Sequence, residues 1–491
     1  MKYIVALDQG TTSSRAILFD KEAKIVGVSQ KEYTQHFPKP GWVEHDPEEI
    51  WASQLEVFES LLKEQKIDPS EIISIGITNQ RETTLIWDKN SGKPLHNAIV
   101  WQDKRTSAFC DDLKNAGHSR VVQEKTGLVI DSYFSGTKIK WLLDHVDGAR
   151  AKAANGELLA GTIDSWLIWK MTNGERHVTD QTNASRTLLF NINNFKWDIE
   201  LLDLLDIPGS ILPEVLPSSA DFGNFTYKGA SLPINGVAGD QQSALFGQAC
   251  FHPGEAKNTY GTGCFLLMNI GNTPKLSENG LLTTVACSVD GKATYAFEGS
   301  VFVAGAVVQW LRDGLKIIEN AKETEKIAKE VSEDEVIVVP AFAGLGVPYW
   351  DSSSRGAIFG LTRDTNSKHF VKAALQSIAF QTKDIVEAIQ EDTKVKMECL
   401  NVDGGASMND FLMQFQSDML DIPVDRPEIF ESTALGAAYL AGLRSGVWTI
   451  DDLKKIRKTS KLFEPDLSLE ERTTLYNNWK DAVSRTLNWH K

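Results

Sequence analysis

Cysteine is scarce and scattered. The 491-residue chain holds five, Cys110, Cys250, Cys264, Cys287 and Cys399, and no two of them form a C-x-x-C pair. A disulfide framework and a structural zinc are therefore not expected, and the five read as small buried hydrophobes. Long apolar runs are missing too: no segment approaches the roughly 18 uninterrupted apolar residues of a spanning helix, so no membrane insertion is expected. The opening residues, Met1 to Asp8, pass directly into strand-like alternation with neither a long apolar stretch nor a small-residue cleavage site, from which a cytoplasmic location is expected. Basic residues are outnumbered, 51 Lys and Arg against 66 Asp and Glu, for a net charge of -15. With no basic stripe, nucleic acid is not expected as a partner. An anionic ligand then has to be held by local backbone amides and a metal.

What is present is the composition of a globular enzyme, 42% hydrophobic and 24% charged. The length exceeds what one hydrophobic core usually serves, so two domains of roughly 200 to 250 residues each are expected, with a cleft between them.

Tyr3 to Asp8, Arg15 to Asp20 and Ile25 to Ser29 are short β-rich runs joined by tight turns and read as an antiparallel meander. Asp46-Pro47-Glu48-Glu49 carries a capping acid, a first-turn proline and a glutamate at the third position. It predicts a helix presenting Ile50, Trp51, Leu55, Phe58 and Leu62, leading to a strand over Ile72 to Thr78. The plan repeats from about residue 254. Lys257 to Tyr260, Cys264 to Ile270, Leu281 to Cys287 and Ala293 to Phe297 read as strands, a long apolar helix is expected from about Val301, and Val336 to Pro340 follows. Leu400 to Asp403 reads as a buried strand, followed by a helix with Phe411, Leu412, Phe415 and Met419. The expectation is a duplicated α/β protein divided at Phe251 to Gly254, with domains 1–250 and 251–491.

Between the first two strands stands Asp8-Gln9-Gly10-Thr11-Thr12-Ser13-Ser14-Arg15. Glycine and small hydroxyl residues let backbone N–H groups approach a phosphate, and Asp8 at a strand end can hold Mg²⁺ through water. No Lys-Ser/Thr follows and the chain continues into a strand, so this is not a P-loop; an ordinary hairpin turn is the competing reading. Tyr260-Gly261-Thr262-Gly263 occupies the corresponding place in the second half, and two such turns across a cleft can clamp a triphosphate. Val402 to Asn409, with Gly404 and Gly405, reads either as a surface for a flat ring or ribose or as a close helix–strand crossing.

Five separated motifs, Asp8 to Arg15, Gln80 to Thr84, Ala238 to Gln242, Tyr260 to Cys264 and Gly344 to Asp351, stand in an order that resembles the FGGY carbohydrate kinases. The resemblance runs along nearly the whole chain. It implies a pair of duplicated actin/hexokinase-like (ribonuclease H-like) α/β domains, with Mg²⁺, ATP and a small polyol, glycerol, meeting in the interdomain cleft. It also implies a homo-oligomer, dimer or tetramer.

A small triol needs donors and acceptors for its hydroxyls and apolar surface for its C–H edge. The resemblance assigns Arg81, Glu82, Tyr133 and Gln241 to the hydroxyls and Trp101 and Phe265 to the apolar wall. Without it, Arg81 and Glu82 read as a surface ion pair worth about 0 to 1 kcal/mol. Asp240, ending the run Val237-Ala238-Gly239, can orient an attacking hydroxyl and take its proton. It can equally cap the helix carrying Ser243, Leu245 and Phe246, and the two roles are compatible. The resemblance makes Asp240 the general base. It further assigns Thr11, Thr12, Ser13 and Arg15 to phosphate, Thr262 to the opposing loop, and Gly305, Gln309, Gly405 and Asn409 to the border of ATP. Gln309 reads equally as a solvated helical position.

Two control devices known in members of the family are not expected. The stretch Leu216 to Val237 contains no histidine to be phosphorylated, and it offers Lys228 but no arginine for a sugar bisphosphate.

Overall fold

The computed structural model describes every residue except 1, 290, 293, 332–334, 352, 490 and 491. The expected meander is β1 (Tyr3–Gln9), β2 (Ser13–Phe19) and β3 (Ile25–Glu32), paired antiparallel in that order. Helix α1 (Pro47–Gln65) follows. The Asp46 side chain accepts from Glu48 N at 2.9 Å and Pro47 opens the first turn, as the sequence predicts. Glu49 does not close a capping box; its carboxylate accepts from Thr34 N at 3.0 Å and ties the helix to the end of the meander. Phe58 and Leu61 on α1 are fully buried against the sheet, each contributing about 1.5–3 kcal/mol.

Strand β4 (Ile72–Asn79) pairs parallel with β1, placing Thr78 opposite Asp8. After an insertion, the hairpin β5 (Asn224–Tyr227) and β6 (Ala230–Gly239) completes a six-stranded sheet of order β5-β6-β4-β1-β2-β3. β6 is parallel to β4, with Gly239 opposite Asn79. The carboxyl ends of β1, β4 and β6 therefore lie side by side, where ligands of such sheets bind. Helix α2 (Asp240–Gly247) leaves from there.

The second sheet repeats this arrangement. β7 (Ala256–Tyr260), β8 (Cys264–Gly271), β9 (Leu282–Val285) and β10 (Tyr295–Val301) are antiparallel, with β10 between β8 and β9. Helix α3 (Ser367–Thr393) precedes β11 (Leu400–Asp403), which is parallel to β7 as β4 is to β1. Then come α4 (Asp410–Leu420), β12 (Val424–Pro427), α5 (Ser432–Arg444) and β13 (Thr459–Phe463). The seven strands run in the order β9-β10-β8-β7-β11-β12-β13.

The sheets meet through α2 and α5. A Cβ at Gly436 would stand 1.9 Å from Ser243 O, and one at Gly247 would stand 2.0 Å from Ser432 O, so the two backbones cross with no room for side chains. α5 also lies on the first sheet, where a Cβ at Gly76 would meet Ala437 O at 2.1 Å. Each half thus lends a helix to the interface between them.

Two expectations require correction. The long helix from Val301 is absent: Val301 ends β10, and only the short helix Gly305–Gln309, a π-turn over Trp310–Gly314 and the helix Glu323–Lys329 follow. Val301 completes the strand by pairing with Cys264, and Gly305 then turns the chain against the loop at Gly261. The strand expected over 293–297 is seen from Tyr295; residue 293 lies outside the described residues.

Candidate functional site

β4 delivers Gln80, Arg81 and Glu82 into the cleft. They are not a surface pair: Arg81 is 2% exposed and Glu82 1%. Glu82 has φ +62, and Thr83 N donates across it to Arg81 O at 2.7 Å, forming a γ-turn that costs about 1–3 kcal/mol. That turn directs two consecutive long polar side chains inward.

Arg81 is gripped from several sides. Its Nη1 and Nη2 donate to the two carboxylate oxygens of Glu298 at 2.6 and 3.0 Å; Nη1 also donates to Gln242 Oε1 at 3.1 Å and Nη2 to the Tyr133 hydroxyl at 3.3 Å. Its Nε edge lies 3.3 Å from Asp240 Oδ1 and 3.7 Å from Glu82 Oε1. Arg186 Nε donates to Glu82 Oε1 at 2.6 Å and its Nη2 to Glu298 Oε1 at 2.9 Å. Two guanidiniums and two carboxylates are thus buried together, which is tolerable because each is paired with opposite charge through at least one charge-assisted bond. Burial alone raises the Glu298 carboxyl, but Arg186 and Arg81 outweigh it and hold the group at about 2. Glu82 lies above the ordinary carboxylate range because its burial outweighs the same two arginines.

Asp240 differs from these carboxylates in keeping about a third of its side chain, 32%, exposed to the cleft. It is the first residue of α2 rather than its cap; Gly239 is the N-cap, and the Asp240 carboxylate accepts from its neighbour, Gln241 N, at 2.8 Å. Burial raises its pKa against the opposing pull of Arg81 and Lys257. Lys257, fully buried on β7, donates to Gln241 Oε1 at 2.5 Å, Thr259 Oγ1 at 2.9 Å and Phe265 O at 3.2 Å. Through it Gln241 and Phe265 join the group, and burial lowers the ammonium to about 8. Trp101 meets Tyr133 edge-on at 5.6 Å between ring centroids.

The first glycine turn lies beside these residues. Trp101 Nε1 donates to Thr11 Oγ1 at 3.0 Å, and the Tyr33 hydroxyl, which lies 2.5 Å from Gly10 O and 2.7 Å from Thr11 O, supports the turn from below. Thr12 is exposed, and Ser13 Oγ accepts from Gln30 at 3.0 Å. Arg15 donates to Asp8 and, at 2.6 Å, to Glu431 at the head of α5. The second turn carries Thr262, whose backbone O accepts from Ala304 N at 2.9 Å and Ala306 N at 3.0 Å, while Gly305 N donates to Gly261 O at 2.9 Å. The two glycines differ: a Cβ at Gly404 would stand 2.5 Å from Tyr260 O at the end of β7, a close approach of two strand ends, whereas nothing lies within 4 Å of one at Gly405. Asn409 caps α4 through Leu412 N at 3.0 Å and donates to Thr324 at 3.1 Å. Gln309 is exposed at the end of its short helix.

The structure thus brings together Arg81, Glu82, Trp101, Tyr133, Asp240, Gln241 and Phe265, with Thr11 linked through Trp101. Sequence reasoning missed Glu298, Arg186, Gln242, Lys257 and Glu431. A signal existed for one of them: Glu298 interrupts the largely apolar run Tyr295 to Val303.

Residues 3–247 match the N-terminal domain of the FGGY family of carbohydrate kinases and residues 256–445 its C-terminal domain. A glycerol kinase of Carboxydothermus hydrogenoformans is 59% identical, with 99% of each chain covered. Glycerol kinase 2 of Thermotoga maritima is 58% identical over the full length of both. The crystal structure of Plasmodium falciparum glycerol kinase with ADP superposes with a TM-score of 0.94 at 38% identity, covering 99% of this chain and 98% of that one. A ligand-bound xylulose kinase of Lactobacillus acidophilus, 23% identical with a TM-score of 0.88 and 99% of each chain covered, shares the fold. With both domain models matched in order and relatives 58–59% identical along the whole chain, the chain belongs to the FGGY family of carbohydrate kinases.

Proposed function

We propose that the protein transfers the γ-phosphoryl group of Mg-ATP to a terminal hydroxyl of glycerol, giving sn-glycerol 3-phosphate and ADP. The observation that carries this reading is Asp240: a partly exposed carboxylate at a strand end, 3.3 Å from Arg81, whose guanidinium also reaches Glu82 and Tyr133. Arg81, Glu82, Tyr133 and Gln241 bind the hydroxyls, and Trp101 and Phe265 cover the carbon edge. Asp240 orients the attacking hydroxyl and accepts its proton as the O–P bond forms in line with the departing ADP oxygen. The relatives named glycerol kinase at close to 60% identity support glycerol as the acceptor.

Thr11, Thr12, Ser13 and Thr262 cradle the phosphates from opposite sides, and Arg15 reaches them by releasing Glu431. Gly305, Gln309, Gly405 and Asn409 border the adenosine. Among the described residues there is no cluster of three or more side chains able to hold a metal. Mg²⁺ would arrive with ATP, and Asp8 would hold it through water. When bound, the ion neutralises charge on the β- and γ-phosphates. The division falls at residues 251–254, the protein acts in the cytoplasm, and it assembles as a dimer or tetramer.

ADP release from Mg-ATP, measured with glycerol, without an acceptor, and with erythritol, xylitol, ribulose, xylulose and gluconate, tests the assignment. Stimulation by glycerol is the expected outcome. Stimulation by a different member of the panel instead would replace the acceptor, and stimulation by none would remove the phosphotransfer reading.

A further inference from the structure

Every residue proposed to bind the polyol hydroxyls comes from the first half of the chain, yet their geometry depends on a carboxylate from the second. Glu298 lies on β10, opposite Leu267 on β8. It is completely buried, and its two oxygens meet three donors: Arg81 Nη1 at 2.6 Å, Arg81 Nη2 at 3.0 Å and Arg186 Nη2 at 2.9 Å. A bidentate fork of this kind sets the plane of the Arg81 guanidinium and turns its Nε edge toward Asp240 and Glu82. Glu298 also orients Arg186, whose Nε in turn holds Glu82 Oε1 at 2.6 Å. One carboxylate therefore fixes the donor and, through Arg186, the acceptor.

The β9–β10 edge is itself anchored to the first half. Thr283 N donates to Gly127 O at 2.9 Å, and the Tyr295 hydroxyl donates to Ile192 O at 2.7 Å. Glu298 stands on the side of the cleft where the halves are already joined, so it acts as a fixed post.

We propose that Glu298 is a positioning residue for the polyol, setting Arg81 directly and Glu82 through Arg186 without touching substrate or nucleotide itself. Without its charge, two buried guanidiniums face Glu82 and Asp240 alone. Arg186 then keeps Glu82, while Arg81, released from its fork, turns its Nη atoms toward Asp240. The polyol loses its donor geometry, and the phosphate turns, which Glu298 does not contact, keep theirs.

This inference rests on the proposed glycerol phosphorylation, so wild-type turnover with glycerol is measured first; its absence would fall on that reading alone. In Glu298→Gln, which keeps shape and loses charge, KM for glycerol is expected to rise about tenfold or more while KM for ATP changes by less than about threefold. The ability of glycerol to raise the melting temperature without nucleotide should be lost with it. Arg186→Lys provides the second variant, because an ammonium cannot span Glu82 and Glu298 as a guanidinium does, and it should show the same split. Glycerol KM unchanged in the folded variants, or both KM values rising together, would overturn the assignment; a purely structural role predicts loss of stability without the split.

Discussion

The indole N–H of Trp101 donates to the Thr11 hydroxyl at 3.0 Å, so the ring proposed to wall the polyol also holds the first glycine turn. The proposed polyol and phosphate sites share this contact. Trp101→Phe keeps an aromatic wall and removes that bond, a net loss of about 0.5–1.5 kcal/mol. KM for ATP is therefore expected to rise a few-fold along with that for glycerol. Initial rates over a grid of both substrates check this, and a change in glycerol KM alone would show that the turn does not depend on the indole.

Asp240→Asn removes the proposed proton acceptor and leaves the two glycine turns intact. Turnover should fall by about 10² or more while ATP affinity, measured by equilibrium binding, is retained. Burial raises the Asp240 pKa, so protonation disables the base at a higher pH than for an ordinary carboxylate. In the wild type kcat should thus be lost as pH falls through a value above 3.8, and near-normal turnover in Asp240→Asn would dismiss it as the base.

Glu82→Ala should impair both polyol use and stability. The hydroxyls lose a charged acceptor, a loss of about 1.5–3 kcal/mol. Arg186 also loses the oxygen held at 2.6 Å but keeps Glu298 Oε1 at 2.9 Å, so the lost charge-assisted bond costs about 1.5–3 kcal/mol of stability. Glycerol kinetics and urea denaturation of the same preparation separate the two effects; an unchanged glycerol response would remove Glu82 from the site.

Two glycines should respond in opposite ways. Gly436→Ala forces a Cβ to within 1.9 Å of Ser243 O at the α2–α5 crossing, overpacking that typically costs about 1–3 kcal/mol, and the urea midpoint should fall. Gly405→Ala places its Cβ in open space, so stability should hold while KM for ATP rises. The reverse pattern would separate Gly405 from the nucleotide and the crossing from stability.

The elements the sequence predicted well carry local signals. Asp46-Pro47 marks the start of α1, and glycine turns after β-rich runs mark the ends of β1 and β7. Arg81 and Glu82 were visible as a polar pair after an apolar strand, but their burial was not, because it is created by Glu298, 217 residues away from Arg81. Arg186 and Gln242 were hidden for the same reason: a partner from another sheet leaves no periodicity in the local chain. The helix expected from Val301 failed because a short apolar run of valines fits a strand as well as a helix, and pairing of Val301 with Cys264 decided for the strand.

Formation of sn-glycerol 3-phosphate from Mg-ATP and glycerol, followed with a stereospecific dehydrogenase in wild type and Asp240→Asn, tests the central claim most directly. The account predicts one product molecule per ADP in the wild type and a rate lower by about 10² or more in the variant. ADP release that glycerol does not stimulate, or product formed equally fast without the Asp240 carboxylate, would contradict it.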